Sequence, residues 1–257
     1  MYETIKYYVK NNVAWIVLNR PDKLNAFNAK MNEELKAAFK TASSSEEVHS
    51  ILLTGEGRAF CSGQDLTEVD AQMDYGNLLR ESYYPMLRQI SLCEKPIVAA
   101  VNGVAAGAGF SLALACDFRL ISEKGSYLNA FIHVGLVPDC GNLYYLSQLI
   151  GVAKTLELSI LGEKVSAQQA FNLGLANKII EVQEWEDQLT YFAEHLASLP
   201  SKAVALIKCS MKAITEMPLE EYLEFEAQSQ RIAGQTNDHL EGIEAFLEKR
   251  KPVFSGK

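Results

Sequence analysis

The sequence predicts an α/β fold, and three observations carry that prediction. Short apolar runs rich in β-branched residues alternate with segments of helical spacing. Glycine-bearing loops follow several of those runs. One run is apolar along its whole length, which calls for cover on both of its faces. The 257 residues are at the upper end for one hydrophobic core but compatible with a single α/β domain.

The first apolar run is VAWIVL (Val13–Leu18), ended by NRPDKLNA, whose Asn, Pro and Asp mark a loop. NAKMNEELKAAFKTA follows with Met31, Leu35 and Phe39 at steps of four, which predicts a helix. SILLTG (Ser50–Gly55) reads as the second strand, and GRAFCSGQDLTEVD as a glycine-punctuated loop. YGNLLRESYYPMLRQISLC has helical texture and leads into the fully apolar strand KPIVAAVNG. The small residues of VAAGAGFSLALACD run into a helix over 107–116, and FRLIS is the fourth strand. Strands alternating with helices in this way predict right-handed βαβ crossovers. Beyond about residue 152 the texture turns helical: AKTLELSILG, SAQQAFNLGL, WEDQLTYFAEHLASLP, SKAVALIKCSMKAITEM and the final EYLEFEAQSQRIAGQTNDHLEGIEAFLEKRKP. The apolar faces of these helices complete the core, seal a subunit interface, or do both.

Hydrophobic residues make up 48% and charged residues 22%, with a formal charge of −8. That balance opposes nucleic-acid binding, which needs a net basic face. Five scattered cysteines without C-x-x-C spacing read as reduced thiols, not a disulfide frame or zinc site. The first residues contain no apolar signal core, and no run nears the roughly 20 apolar residues of a membrane helix. The expectation is a cytoplasmic protein with no membrane partner.

Ligands of open α/β folds bind beyond the carboxyl ends of the strands, so the glycine loops come first. CSGQD and GAGF can each bring a backbone N–H close to a ligand, because glycine has no Cβ. The second lies near a helix start, where amides lack intrahelical acceptors and the dipole favours negative charge. Two such amides converging on one carbonyl oxygen would form an oxyanion hole. Tight turns and close packing are the plain alternative. No phosphate loop, dinucleotide fingerprint, G-x-S-x-G elbow or metal spacing of the four histidines is present. In GLVPDCG, Asp139 is a single carboxylate in an apolar, turn-forming run; it either caps the next helical turn or does chemistry.

The stretches LNRPDKLNAFN, GRAFCSGQDL, KPIVAAVNGVAAGAGFSLALACDFRLIS, GLVPD, LGEKVSAQQAFNLGLANKII and FLEKRKPVF resemble, in order and spacing, the crotonase or enoyl-CoA hydratase/isomerase superfamily. The resemblance spans essentially the whole chain. It implies a crotonase-like spiral of ββα units (1–195) with a helical C-terminal trimerisation region (196–257), assembled as a homotrimer or a dimer of trimers. It implies an acyl-CoA thioester as substrate and no further cofactor. By alignment the two oxyanion-hole amides fall on Gln64 and Ala108. Because the donors are main-chain groups, Gln64 and Ala108 in place of the commoner Ala and Gly leave that role intact. Lys23, Leu24, Ala26, Asp65 and Leu66 fall along the CoA-binding loops. Lys23 and the basic run Lys249, Arg250 and Lys251 are candidates for the CoA phosphates, or else a solvated basic face.

Two departures bear on function. The superfamily's hydratases use two glutamates, which fall on Ser111 and Phe131 here. Asp139 falls where the enoyl-CoA isomerase branch keeps its base, and NAFIHVGLVPD looks closest to the epoxyphenylacetyl-CoA isomerases of phenylacetate catabolism. The resemblance therefore implies a double-bond isomerase with Asp139 as base. A hydratase, another crotonase activity, or a silent acyl-CoA binder is the alternative. Burial against Phe131, Ile132, Leu136 and Val137 is expected to raise the Asp139 pKa. Cys61 and Cys140 read as buried thiols, and Tyr83, Tyr84, Tyr144 and Tyr145 as pocket lining or ordinary packing.

Overall fold

In the computed structural model, which describes residues 2–68 and 72–256, the chain begins with a hairpin. Strands β1 (Ile5–Lys10) and β2 (Val13–Leu18) pair antiparallel. Asn11 and Asn12 join them, both at positive φ, the conformation a two-residue hairpin loop demands and asparagine tolerates. Helix α1 (Ala29–Ser44) follows, with the Asn28 side chain accepting from the Met31 amide at 2.9 Å as its N-cap.

From there the chain winds as a spiral. Each turn lays one strand in a long sheet, then a short strand in a second sheet, then returns by a helix. The first turn is β3 (Ser50–Gly55), β4 (Ala59–Cys61) and a helical segment. That segment comprises α2 (Tyr75–Leu78), a π-helical turn (Leu79–Tyr83) and α3 (Tyr84–Leu92). The second turn is β5 (Ile97–Val101), β6 (Val104–Ala106) and α4 (Ala108–Leu114). The third is β7 (Phe118–Ser122), β8 (Ser126–Leu128), a 3-10 turn (Ala130–Val134) and α5 (Asn142–Leu161), kinked at Gly151. Then come β9 (Lys164–Ser166), α6 (Ala167–Asn172) and β10 (Lys178–Ile180). Helices α7 (Trp185–Ala197), α8 (Ser201–Ala213), α9 (Leu219–Ala233) and α10 (Asn237–Glu248) end the chain.

The long sheet has the order β1-β2-β3-β5-β7-β10, parallel except for the opening hairpin; the short one has the order β4-β6-β8-β9. Both faces of the long sheet are covered, as the unbroken apolar run predicts. Ile97, Ala99 and Val101 of β5 join the core with Phe27, Phe39 and Phe60, while Val98 and Ala100 pack with Leu189 and Ala193 of α7.

Several elements differ from expectation. The GRAFCSGQDLTEVD loop contains β4, and its end at 69–70 lies outside the described residues. Strands β6 and β8, three residues each, are too short to carry a period of two. The region after 152 is not wholly helical, because β9 closes the short sheet and β10 the long one. The last helical segment is two helices, broken where Gly234 and Thr236 separate α9 from α10. Among the described residues no helix is long and apolar enough to cross a membrane.

Helix α4 lies hard against β4. A Cβ on Gly109 would stand 2.3 Å from the Cys61 carbonyl oxygen and 2.7 Å from its Cβ. Neither neighbour can swing away, since one is backbone and the other is rooted on it. Gly109→Ala is therefore expected to lower stability by about 1–3 kcal/mol, the usual cost of overpacking, read as a fall in the urea midpoint. An unchanged midpoint would show that helix and strand are not in this contact.

Candidate active site

The site is built where the short-sheet strands end. After β4 the chain passes through Gly63 to Gln64; after β6 it passes through Gly107 to Ala108, the first residue of α4. The two loops touch at their glycines. A Cβ on Gly63, at φ +98°, would stand 3.0 Å from the Ala106 carbonyl oxygen and 3.6 Å from the Ala108 nitrogen. Glycine at this positive φ permits the approach, and Gln64 and Ala108 follow directly on the two loops that meet here. Phe27 bridges to the first loop, donating its N–H to the Gly63 carbonyl and accepting from the Asp65 N–H, both at 2.8 Å. Among the described residues neither the Gln64 nor the Ala108 N–H has an acceptor. Ala108 is at a helix start, where such amides are free by construction.

Asp139 enters from the third turn of the spiral, just before Cys140 and Gly141, both at positive φ. Its carboxyl is partly buried, and Oδ1 is shut off from solvent without a hydrogen-bond partner. Burial pushes its pKa up, while the neighbouring Cys140 thiol pulls the other way. The expected direction holds, but the expected surroundings need correction. Phe131 is buried, whereas Ile132 is 44% and Val137 78% exposed. Of the expected neighbours, Phe131 and in part Leu136 are turned inward, while Ile132 and Val137 are exposed. The Tyr83 hydroxyl is close enough to sense Cys140, Cys61 and Asp139; burial first, then those three groups, push its pKa up, and the Asn32 amide opposes them. Burial also pushes the Cys61 thiol up to about 12 and raises Cys140 as well, so both stay protonated, as buried thiols do.

Asp139 does not act as a side-chain cap. Its backbone carbonyl makes the local contacts, accepting from Asn142 N–H at 2.9 Å and from Ser111 Oγ at 3.0 Å. Ser111, on α4, is fully buried, also lies 3.2 Å from the Gly107 carbonyl, and accepts from Asn142 Nδ2 at 3.2 Å. Asn129 Nδ2 donates to Asn142 Oδ1 at 3.0 Å and to Ser159 Oγ at 2.8 Å. This buried polar chain ties the helix carrying the Ala108 amide to the backbone of the acid. Sequence reasoning missed it, because single Asn and Ser residues on three separate elements give no local pattern.

The remaining expected residues are distributed as follows. Lys23 is exposed, Leu24 is at φ +52°, Ala26 is buried, and Leu66 is 60% exposed. The Asp65 carboxylate turns inward to Arg20 Nη2 at 2.9 Å and Thr67 Oγ1 at 2.6 Å, so it orders its own loop. Its hydrogen bond from Thr67, more than its partial burial opposes, lowers its pKa, and Arg20 adds to this. Arg250 is engaged by Glu241 and Glu248. Tyr83 is buried, while Tyr84 and Tyr144 are about half exposed. No group of three or more His, Cys, Asp or Glu side chains suited to a metal occurs among the described residues.

Residues 8–257 match the sequence model of a family described as enoyl-CoA hydratase/isomerase. The "Probable enoyl-CoA hydratase" of Rhodobacter capsulatus is 41% identical over 257 residues, covering all of this chain and 99% of the relative. The 1,2-epoxyphenylacetyl-CoA isomerase of Escherichia coli is 37% identical over 262 residues, covering both chains completely. Among solved structures, that of an enoyl-CoA hydratase from Bacillus anthracis superposes with a TM-score of 0.92 at 32% identity, covering 99% of this chain and 100% of that one.

The raised Asp139 pKa has a consequence for stability. Its native value lies above the unfolded one of about 3.9, so the folded chain holds the proton more tightly. Stability must fall as pH rises from there through the native pKa. Asp139→Asn is therefore expected to unfold at a higher urea concentration than the parent at pH 7, with the gap closing on acidification below the unfolded value. Parity at pH 7, or a gap that widens in acid, would contradict a desolvated carboxyl.

Proposed function

The chain belongs to the enoyl-CoA hydratase/isomerase family, and from that premise we propose that it is an acyl-CoA double-bond isomerase working with one carboxylate base, Asp139. The single observation that carries this reading is the Asp139 carboxyl itself, whose Oδ1 is buried without a hydrogen-bond partner among the described residues. A buried carboxylate oxygen without a hydrogen-bond partner carries a desolvation cost, and a catalytic role is one explanation for keeping it.

In this mechanism the acyl-CoA carbonyl sits between the Gln64 and Ala108 N–H groups. Asp139 removes a proton from C2 of a 3-enoyl thioester. The electron pair spreads over a dienolate, and the oxygen that gains charge is held by the two amides. Removing one such donor costs about 2.7–4 kcal/mol in other enzymes. Asp139 then delivers the proton to C4, which leaves the double bond between C2 and C3 and restores the carboxylate. One base suffices because the proton travels along one face of a flat intermediate. The balance closes without any redox or metal step. A carboxyl with raised pKa is the better base for carbon, since its conjugate acid is closer to the operating pH.

The alternative, hydration, needs groups to hold and deprotonate water. At the two positions where the resemblance puts the hydratase glutamates stand Ser111, whose hydroxyl is used by Asp139, Gly107 and Asn142, and Phe131, which is buried. Relatives of both names exist, so the choice rests on these side chains. The spiral core over 1–195 and the helical region over 196–257 follow the same reading, with the latter joining three copies. Val152, Leu156 and Ile160 of α5 stand 68%, 52% and 60% exposed at steps of four, an apolar stripe suited to a neighbouring copy.

Offered a 3-enoyl-CoA, the protein is expected to raise conjugated-thioester absorbance. Offered a 2-enoyl-CoA, it is expected to form little 3-hydroxyacyl product. Asp139→Asn is expected to lose about 10²- to 10⁴-fold in kcat, the range of general acid-base catalysis, with KM near the parent value. Fast hydration by the parent, or full turnover by the variant, would refute the isomerase reading. Sedimentation is expected to give the mass of three or six chains, and a monomer would remove the assembly part.

A further inference from the structure

We infer that Tyr83 and the Gln64 side chain form a clamp that sets the direction of the Gln64 N–H, which makes Tyr83 a positioning residue for thioester polarisation. The inference rests on the oxyanion-hole reading above and assigns a job to a side chain that the main-chain role leaves idle. The Tyr83 hydroxyl donates to Gln64 Oε1. The Gln64 Nε2 in turn lies 3.4 Å from the Asp65 carbonyl, across the next peptide. On the other side Phe27 grips the peptides flanking Gln64 through Gly63 and Asp65, and the Tyr83 ring packs edge-on against Phe27 with centroids 5.5 Å apart at 74°. Hydroxyl, amide side chain, ring and main chain therefore brace the backbone on both sides of Gln64, whose own N–H has no acceptor among the described residues.

The helix delivers Tyr83 by an irregularity. The five residues Leu79–Tyr83 form a π-helical turn between two α-helical pieces. Such turns are rare, appear mostly as single turns inside α-helices, and are frequent at functional sites. Here Tyr83 ends 2% exposed while the next residue, Tyr84, is 49% exposed. From α1, Asn32 holds the same turn, its Nδ2 donating to Ser82 Oγ at 2.8 Å. Packing alone would be met by a phenylalanine at 83. A buried hydroxyl must find an acceptor or destabilise the fold, and Gln64 supplies it. The alanine that the resemblance makes commoner at position 64 could not. The two residues thus belong together, and because hydrogen bonds weaken steeply with misalignment, the pair governs how well the Gln64 amide meets a developing oxyanion.

The test uses a conjugated aryl acyl-CoA, cinnamoyl-CoA, whose thioester C=O stretch reports polarisation on binding, alongside isomerase turnover. Bound to the parent, the stretch is expected to move to lower frequency. In Tyr83→Phe, which keeps the ring, and in Gln64→Ala the shift is expected to shrink to a similar extent. The double variant should lose little more than either single one, the mark of a coupled pair. Turnover is expected to fall about tenfold with KM within about twofold, a loss of orientation and not of binding. A full shift in Tyr83→Phe, additive losses in the double variant, or no shift in the parent would each overturn the clamp. A parent that polarises the probe yet moves no double bond would refute the isomerase reading and leave the clamp standing.

Discussion

The site depends on one contact that involves no side chain at all. Two loops meet glycine against backbone at Gly63 and Ala106–Ala108. The spiral makes this meeting possible. Successive turns place β4 and β6 side by side and parallel, so both chains leave the short sheet at the same edge. A Cβ on Gly63 would press on the Ala106 carbonyl and be strained at φ +98°, so the close approach of the two loops depends on that glycine. Main-chain donors fixed in this way need no reorganisation when charge develops, which is why such electrostatic preorganisation is effective.

A second constraint follows, because the acid must be held without being satisfied. The large majority of buried side-chain polar atoms have at least one hydrogen-bond partner. Asp139 is treated differently: the fold grips its main chain through Ser111 and Asn142 and leaves Oδ1 bare. The buried chain Ser111–Asn142–Asn129–Ser159 links α4, the start of the 3-10 turn and α5 by hydrogen bonds. Asn129 Oδ1 is itself without a partner, and an incompletely satisfied buried network has a stability cost. The large apolar core beneath, with Phe27, Phe39, Phe60 and Phe110 fully or almost fully buried, supplies the stability that offsets such costs.

What the sequence allowed to be read follows from these two facts. Strands β2, β3, β5 and β7 are legible because their apolar runs are five or six residues long, and α1 because Met31, Leu35 and Phe39 keep a helical step; β1 is not, because IKYYVK interrupts its apolar residues with lysines. The short strands β4, β6 and β8 were not, since three residues set no period and what defines them is the neighbouring turn of the spiral. Asp139 stood out as the lone charge in GLVPDCG, and the glycines of CSGQD and GAGF marked the amide loops. Adjacency in sequence does not give adjacency in space: Val137, two residues before Asp139, is exposed, while Tyr83, more than fifty residues earlier, is buried. Gln64 was read as a tolerated replacement. Only the fold brings it to Tyr83, through a π-helical turn that no local pattern announces.

These observations also bear on why relatives of one fold carry different names. The scaffold and the paired amides are main-chain properties, and side chains can change around them without disturbing either. On the proposed reading they stabilise an enolate-like oxygen whichever carbon loses or gains a proton. Reaction type is then decided by which acids and bases face the acyl group, and there this chain has exchanged ionisable positions for structural ones. Ser111 is consumed in holding the loop of Asp139, and Phe131 fills its place with hydrocarbon. On the proposed reading, the same substitution that removes a water-activating group supplies the hydrogen bond that steadies the remaining base. Loss of one chemistry and precision in the other thus come from a single serine, and function here lives in the site and not in the fold.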